Sequence, residues 1–282
     1  MKKIDFKNTW KNRGIKQEII DLIILKNLKI SKKELFFLEN ITDDFIKKIE
    51  QDLVKIQIGE PIEYILEKAE FFGLEFFVDS RVLIPRNDTE IMVQKVLEIK
   101  NLKKFELIDI GTGSGAIICT ILKNSEIKKG FALDISEKAL EVAKINILNL
   151  ELKNKINICK SNLLEIFFDE KKDFSLKERL IITANLPYVK NGDFENMSTE
   201  VLKYEPKIAL FGGQNTGFEL YEKLIRQCLQ LKEKYNLESI FLFIEIGFDQ
   251  EKIAKDFLKI EKLNYSFYKD NSGIQRCIQI EI

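Results

Sequence analysis

Phe105-Glu106-Leu107-Ile108-Asp109-Ile110-Gly111-Thr112-Gly113-Ser114-Gly115-Ala116 decides how the rest of the chain is read. A short apolar run ends in a carboxylate and enters glycines at alternate positions, after which the apolar spacing becomes helical. Glycine there lets the backbone approach a ligand and leaves helix N-terminal amides facing it. The stretch therefore predicts a strand, a tight loop and a helix, with a binding site at the strand's carboxyl end.

Outward from it, short apolar runs alternate with amphipathic segments: Gly130–Leu133, Ile156–Cys159, Leu180–Ala184, Ile240–Ile246, Tyr265–Tyr268 and Ile274–Ile280. Strands alternating with helices imply βαβ units and a largely parallel sheet. Together with Phe105–Ile110 these runs predict seven strands, and the last two lie close enough to form a hairpin, so one of them should be antiparallel. Upstream the period is helical over Ile15–Leu28, Lys32–Leu38 and Asp43–Ile58, with Ser31 and Thr42 as N-caps. The aromatic, alternating stretch Tyr64–Val78 suits a hairpin. The expected division is a helical domain over residues 1–60, a hairpin linker over 61–80 and the main α/β domain over 81–282.

Composition narrows the chemistry. The 282 residues carry 45 basic and 45 acidic side chains, so no general positive field gathers phosphates. Histidine is absent, and Cys119, Cys159, Cys228 and Cys277 stand far apart in apolar stretches. Zinc clusters and histidine-based triads are thereby set aside, and no metal is expected. No signal-peptide layout and no apolar run near the ~20 residues of a membrane span is present, so a cytoplasmic protein is expected.

Asp134 ends the strand after the glycine loop, about twenty residues on, where a carboxylate can accept both hydroxyls of an adenosine ribose. A tight turn with Asp134 capping the next helix is the structural alternative. The loop spacing is GxGxG rather than GxGxxG, and Asp109 ahead of it suits a ligand with an ammonium group and would repel a pyrophosphate. S-adenosylmethionine is favoured over a dinucleotide.

The second chemical signal is Asn185-Leu186-Pro187-Tyr188, directly after the fourth strand. An amide or exocyclic amine is a poor nucleophile because its lone pair is delocalised. Two acceptors holding its N–H hydrogens keep electron density on nitrogen, and the Asn185 side-chain carbonyl with the Leu186 backbone carbonyl can supply them. Pro187 rigidifies the turn and Tyr188 can stack on a flat acceptor group.

With the glycine loop, Asp134 and Asn185–Tyr188 stand Gly59-Glu60-Pro61-Ile62-Glu63-Tyr64-Ile65, Phe72-Gly73-Leu74-Glu75-Phe76, Val82-Leu83-Ile84-Pro85-Arg86-Asn87-Asp88-Thr89-Glu90 and Glu205-Pro206-Lys207-Ile208-Ala209-Leu210-Phe211-Gly212-Gly213. From Gly59 onward the chain resembles the protein-(glutamine-N5) methyltransferase family acting on peptide chain release factors, the HemK or PrmC type. The resemblance implies a Rossmann-like class I S-adenosylmethionine-dependent methyltransferase fold with a helical N-terminal domain that helps grip the protein substrate. It implies methyl transfer to the glutamine of the Gly-Gly-Gln motif in class 1 release factors, with S-adenosylhomocysteine as product. By position, Gly111, Thr112, Gly113, Ser114 and Gly115 line the cofactor, Asp134 takes the ribose, Asn162 and Leu163 flank the adenine, and Asn185–Tyr188 hold the glutamine amide.

Two positions depart from the family pattern. Leu186 replaces the usual proline, and Asn162 stands where an aspartate is common. Asn87 and Glu90 have the spacing of an N-cap and its reciprocal partner, which suits a structural role as well as direct participation. Gly212-Gly213-Gln214 matches the substrate tripeptide but belongs to the chain's own glycine-rich loop, and Glu245-Ile246-Gly247 is expected to support the site. Rival readings are a ribosomal-protein glutamine methyltransferase, a DNA adenine-N6 methyltransferase, a noncatalytic adenosine-binding partner and a nicotinamide dehydrogenase. The DNA enzyme should carry a basic recognition region, which this neutral chain lacks.

Overall fold

The computed structural model describes residues 1–190, 192–193 and 198–282. The chain forms two compact units, Met1–Lys68 with Thr199–Tyr204, and Ala69–Ser198 with Glu205–Ile282.

The first unit contains α1 (Lys3–Asn12), α2 (Gln17–Leu28), α3 (Lys32–Phe37), α4 (Asp43–Gln57) and α5 (Ile62–Leu66), joined by α9 (Thr199–Tyr204) from later in the chain. Apolar residues at three- and four-residue spacing meet in one core of Phe6, Trp10, Ile20, Ile24, Ile49 and Leu53. Ser31 forms a full capping box with Glu34, whereas Thr42 sits at its N-cap position without a side-chain bond. α1 and α5 are helices beyond the three expected. Asp52, buried on α4, is held by Lys26 and Asn27, each at 2.9 Å.

The second unit opens with the hairpin β1 (Ala69–Phe71) and β2 (Leu74–Phe76). Then come α6 (Glu90–Leu97), β3 (Glu106–Ile110), α7 (Ala116–Lys123), β4 (Gly130–Asp134), α8 (Glu137–Asn149), β5 (Ile156–Lys160) and β6 (Arg179–Ala184). A short pair, β7 (Val189–Lys190) with β8 (Phe211–Gly213), precedes α10 (Glu219–Lys234), β9 (Ser239–Glu245), α11 (Glu251–Ile260), β10 (Asn264–Lys269) and β11 (Gln275–Glu281). The main sheet has seven strands in the order β10-β11-β9-β6-β3-β4-β5. Its core strands run parallel, and β11 is antiparallel to both neighbours, as the expected hairpin requires.

β3 is buried along its whole length because both faces are covered. Ile108 and Ile110 face a core shared with α10 and α11, and Leu107 faces one shared with α6, α7, α8 and the hairpin's Phe71 and Phe76. The cysteines are free thiols, three of them buried and Cys159 half-buried. No helix among the described residues is long and apolar enough to cross a membrane.

Asn146, fully buried on α8, fixes the glycine loop to this framework. Its Oδ1 accepts from the Phe77 amide at 2.7 Å, and its Nδ2 donates to the carbonyls of Phe77 and Ser114 at 2.9 and 2.8 Å. Truncation strands buried backbone groups, each worth about 1–3 kcal/mol when left unpaired. Asn146→Ala is therefore expected to lower unfolding stability by about 3 kcal/mol in urea titration, and a loss below about 1 kcal/mol would contradict this anchoring role.

Candidate active site

Strand register builds the site. Ile110 on β3 is level with Leu133 on β4 and with Ala184 on β6. The next residue of each strand or turn, Gly111, Asp134 and Asn185, therefore emerges side by side at the carboxyl edge of the sheet. Chain order also reverses across β3, with β4 on one side and β6 on the other, which is where open α/β sheets bind ligands. A cavity of about 310 Å³ lies there, inside the second unit, a size suited to a nucleoside-bearing ligand.

One half of the wall is the glycine loop. Gly111, Gly113 and Gly115 all have φ between 54° and 80°, so the loop is a run of left-handed turns that side chains would strain. Asp109 anchors it from beneath, accepting from Thr112 Oγ1 at 2.6 Å and Thr183 Oγ1 at 2.7 Å. Burial pushes the Asp109 carboxyl up to about 6, against the lowering effect of those two hydroxyls. Asp134 lies on the wall and accepts the Gly113 amide at 2.9 Å and the Ser136 amide at 2.8 Å, one on each oxygen. Each oxygen keeps a lone pair for a further donor. Burial raises the Asp134 pKa, and these backbone amides oppose the rise.

Asn162 and Leu163 line the same half. Asn162 donates through Nδ2 to Glu165 Oε1 at 2.9 Å, and Lys223 holds that oxygen at 2.7 Å. The amide is thus turned with Oδ1 as its remaining acceptor, the same polarity that an aspartate would offer.

The other half is the turn after β6. Asn185 donates through Nδ2 to Thr89 Oγ1 at 3.1 Å, and its Oδ1 takes no hydrogen bond among the described residues. The side chain lines the cavity with its nitrogen tied back and its oxygen spare. Leu186 is buried, and the Tyr221 hydroxyl bridges its amide at 2.9 Å and its carbonyl at 3.2 Å. That carbonyl already holds one donor from the protein and keeps one lone pair. Gly212 permits the turn, because a Cβ there would fall on the Pro187 carbonyl. Gln250, 2% exposed, donates to the Tyr188 and Thr216 carbonyls, both at 3.1 Å, and accepts from the Gly247 amide at 3.0 Å.

Most of the expected site residues share this cavity: Gly111, Thr112, Gly113, Ser114, Asp134, Asn162, Leu163, Asn185, Leu186 and Pro187. Three stand behind it. Asp109 is fully buried under the loop and off the cavity wall, its carboxylate held by the Thr112 and Thr183 hydroxyls. Gly115 packs against Ala143 at the start of α7. Tyr188 joins the apolar core and lies beside Gly247 rather than on the wall, and burial followed by the nearby Glu245 charge raises its phenol pKa. The Asn87–Glu90 cap does not form. Glu90 instead accepts the Phe72 amide at 2.7 Å, fixing the hairpin turn. Gln214 is exposed and off the wall, so Gly212-Gly213-Gln214 does not offer its glutamine to the cavity. Among the described residues no cluster of Cys, Asp or Glu is placed to hold a metal ion.

Tyr221 and Gln250 are partners that sequence spacing does not reveal, whereas Thr89 and Glu245 lie in stretches that the sequence singled out. Arg86 and the buried Glu205 form an ion pair joining the segment around Thr89 to the Glu205–Gly213 stretch.

Comparison with known proteins agrees with this construction. Residues 92–182 match a family described as "Methyltransferase domain". The "Release factor glutamine methyltransferase" of Clostridium botulinum is 37% identical over 274 residues, covering 92% of this chain and 90% of that protein. The protein of the same name from Flavobacterium psychrophilum is 32% identical over 269 residues, covering 93% and 85%. The hMettl16 catalytic domain in complex with the MAT2A 3'UTR hairpin 6 shares the fold with a TM-score of 0.53 at 16% identity, over 86% of this chain and 83% of that one. At that extent and identity, the chain belongs to the release factor glutamine methyltransferase family.

Proposed function

We propose that this methyltransferase transfers a methyl group from S-adenosylmethionine to the side-chain amide N5 of the glutamine in the Gly-Gly-Gln motif of class 1 peptide chain release factors. The observation that carries the reading is the spare Oδ1 of Asn185, fixed at the cavity wall by the donation of Nδ2 to Thr89. Bound S-adenosylmethionine supplies a methyl group on a positively charged sulfur. The chain's part is to hold the acceptor nitrogen. Asn185 Oδ1 and the free lone pair of the Leu186 carbonyl take its two hydrogens, so its electron pair stays localised and aimed. A positioned acceptor of this kind acts without a covalent intermediate.

On the donor side, Asp134 takes the ribose hydroxyls with its remaining lone pairs, Asn162 Oδ1 takes the adenine amino group, and Leu163 covers the ring edge. Ser114 and Gly111–Gly113 form the floor. Asp109, Gly115 and Tyr188 act one layer back, the first two holding the loop and the third filling the space behind the turn. The helical domain of residues 1–60, with the hairpin linker of residues 61–80, would help dock the release factor onto the catalytic domain of residues 81–282. Translation-termination factors are cytoplasmic, and a cytoplasmic enzyme without nucleic acid or membrane as substrate follows from this reading.

The test is transfer of labelled methyl to a release factor, with the product located by mass spectrometry. Label should appear on the Gly-Gly-Gln glutamine, and label on DNA or a ribosomal protein instead would overturn the substrate. Asn185→Ala should cut kcat by about 10²–10³, with S-adenosylhomocysteine affinity by calorimetry unchanged within about twofold. Asp134→Ala should do the reverse first, weakening S-adenosylhomocysteine binding by about 10–100-fold through the loss of charged hydrogen bonds.

A further inference from the structure

Behind Asn185 stands a buried carboxylate that the reading above leaves unused. Glu245, the last residue of β9, is 3% exposed. Strand register sets Ile244 of β9 level with Ala184 of β6, so Glu245 stands beside Asn185; the Thr89 and Asn185 side chains are near enough to lower its pKa, and its Oε2 is buried with no hydrogen-bond partner among the described residues. It does not line the cavity. A buried acceptor left half-satisfied costs stability, so its retention here calls for a role.

The geometry points to Glu245 as the positioning residue that, with the Thr89 hydroxyl, sets which end of the Asn185 amide faces the cavity. This inference rests on the proposed acceptor role of Asn185. The Asn185 amide is nearly symmetric in shape, and only its surroundings distinguish nitrogen from oxygen. A carboxylate behind it attracts Nδ2 and repels Oδ1, both directly and through Thr89. The hydroxyl of Thr89 gives its proton to Glu245 and so offers Asn185 a lone pair. The oxygen is thereby turned outward, where a substrate N–H needs an acceptor. Were Glu245 protonated, it could donate to Thr89 in turn, and the hydroxyl would then favour the reversed amide. That orientation points N–H at N–H, and the acceptor is lost.

The neighbourhood makes this switchable near neutral pH. Burial pushes the Glu245 carboxyl up to about 7, with Thr89, Arg276 and Asn185 lowering it and Asp88 raising it. Other titratable groups facing it are the phenols of Tyr188 and Tyr221 and the thiol of Cys277, each raised in part by its charge. These stay neutral through the range in question. Arg276 is itself held by Asp88 and Asp270, both at 3.3 Å, so its charge is shared. The working form is the carboxylate, so kcat should rise with pH through a single ionisation at or below about 7.

The test compares Thr89→Val, Thr89→Ser and Glu245→Gln for kcat, for KM toward the release factor and for S-adenosylhomocysteine affinity. Thr89→Val should lower kcat about 30-fold with the affinity unchanged within about twofold. Thr89→Ser, which keeps the hydroxyl, should restore most of that loss. Glu245→Gln should lower kcat about tenfold at high pH and flatten the limb between about pH 6 and 8. Equal loss in both Thr89 variants, or a wild-type limb surviving in Glu245→Gln, overturns the inference while leaving the methyltransferase reading intact. If Glu245→Gln does not fold, the Thr89 pair decides alone. A wild-type chain that transfers no methyl to any release factor instead sinks the function on which this inference rests.

Discussion

The site depends on holding hydrogen-bond acceptors rigidly while leaving them unsatisfied. Folding ordinarily removes such groups, since a buried acceptor without a donor costs about 1–3 kcal/mol. The turn after β6 resolves the conflict by pairing polar groups on either side of the acceptor. The nitrogen of Asn185 is bound by Thr89, the amide of Leu186 by Tyr221, and the carbonyl of Tyr188 by Gln250. Among the described residues, the oxygen of Asn185 and one lone pair of the Leu186 carbonyl remain unpaired at the wall. The same logic runs on the cofactor side, where backbone amides take one lone pair from each oxygen of Asp134 and leave the other.

Rigidity of that kind has to come from several chain segments at once, and this decides what the sequence reveals. Strands and loop are legible because local periodicity and glycine placement encode them. All seven runs of the main sheet lie where alternation with helices puts them, and Asn185 and Asp134 follow from strand ends. The supports are not legible, because Thr89 meets Asn185 across 96 residues and Asn146 meets Phe77 across 69. No local pattern marks a threonine or a glutamine as a clamp. The same blindness explains Asp109 and Tyr188. Their types suit ligand contact, but pleat alternation and packing turn them inward, and side-chain direction in a loop is a tertiary property. Asn87 and Glu90 had cap spacing, yet the Phe72 amide of the hairpin turn offered Glu90 a better partner. α1 is mostly polar, with only Phe6 and Trp10 buried, and α5 and the pair β7–β8 are short, so local periodicity marks none of them.

The two departures from the family pattern show how such a site absorbs substitution. Proline at position 186 would carry no amide hydrogen, so leucine introduces a buried donor where the pattern has none. Tyr221 accepts that hydrogen at 2.9 Å and returns its own to the carbonyl of the same residue at 3.2 Å. The ring constraint of proline is replaced by a two-point clamp from α10, at the expense of one lone pair on the carbonyl. At position 162, asparagine brings the risk that its amide presents nitrogen rather than oxygen to the ligand. Glu165 removes the ambiguity by binding the nitrogen, with Lys223 fixing the carboxylate in turn. In both places an added N–H is matched by an acceptor that holds it away from the cavity, so the polarity of the wall is preserved although the residue is not. Polarity at the wall, rather than residue identity, is what the surrounding side chains maintain, and the buried carboxylate of Glu245 behind Asn185 applies the same rule at the reacting end.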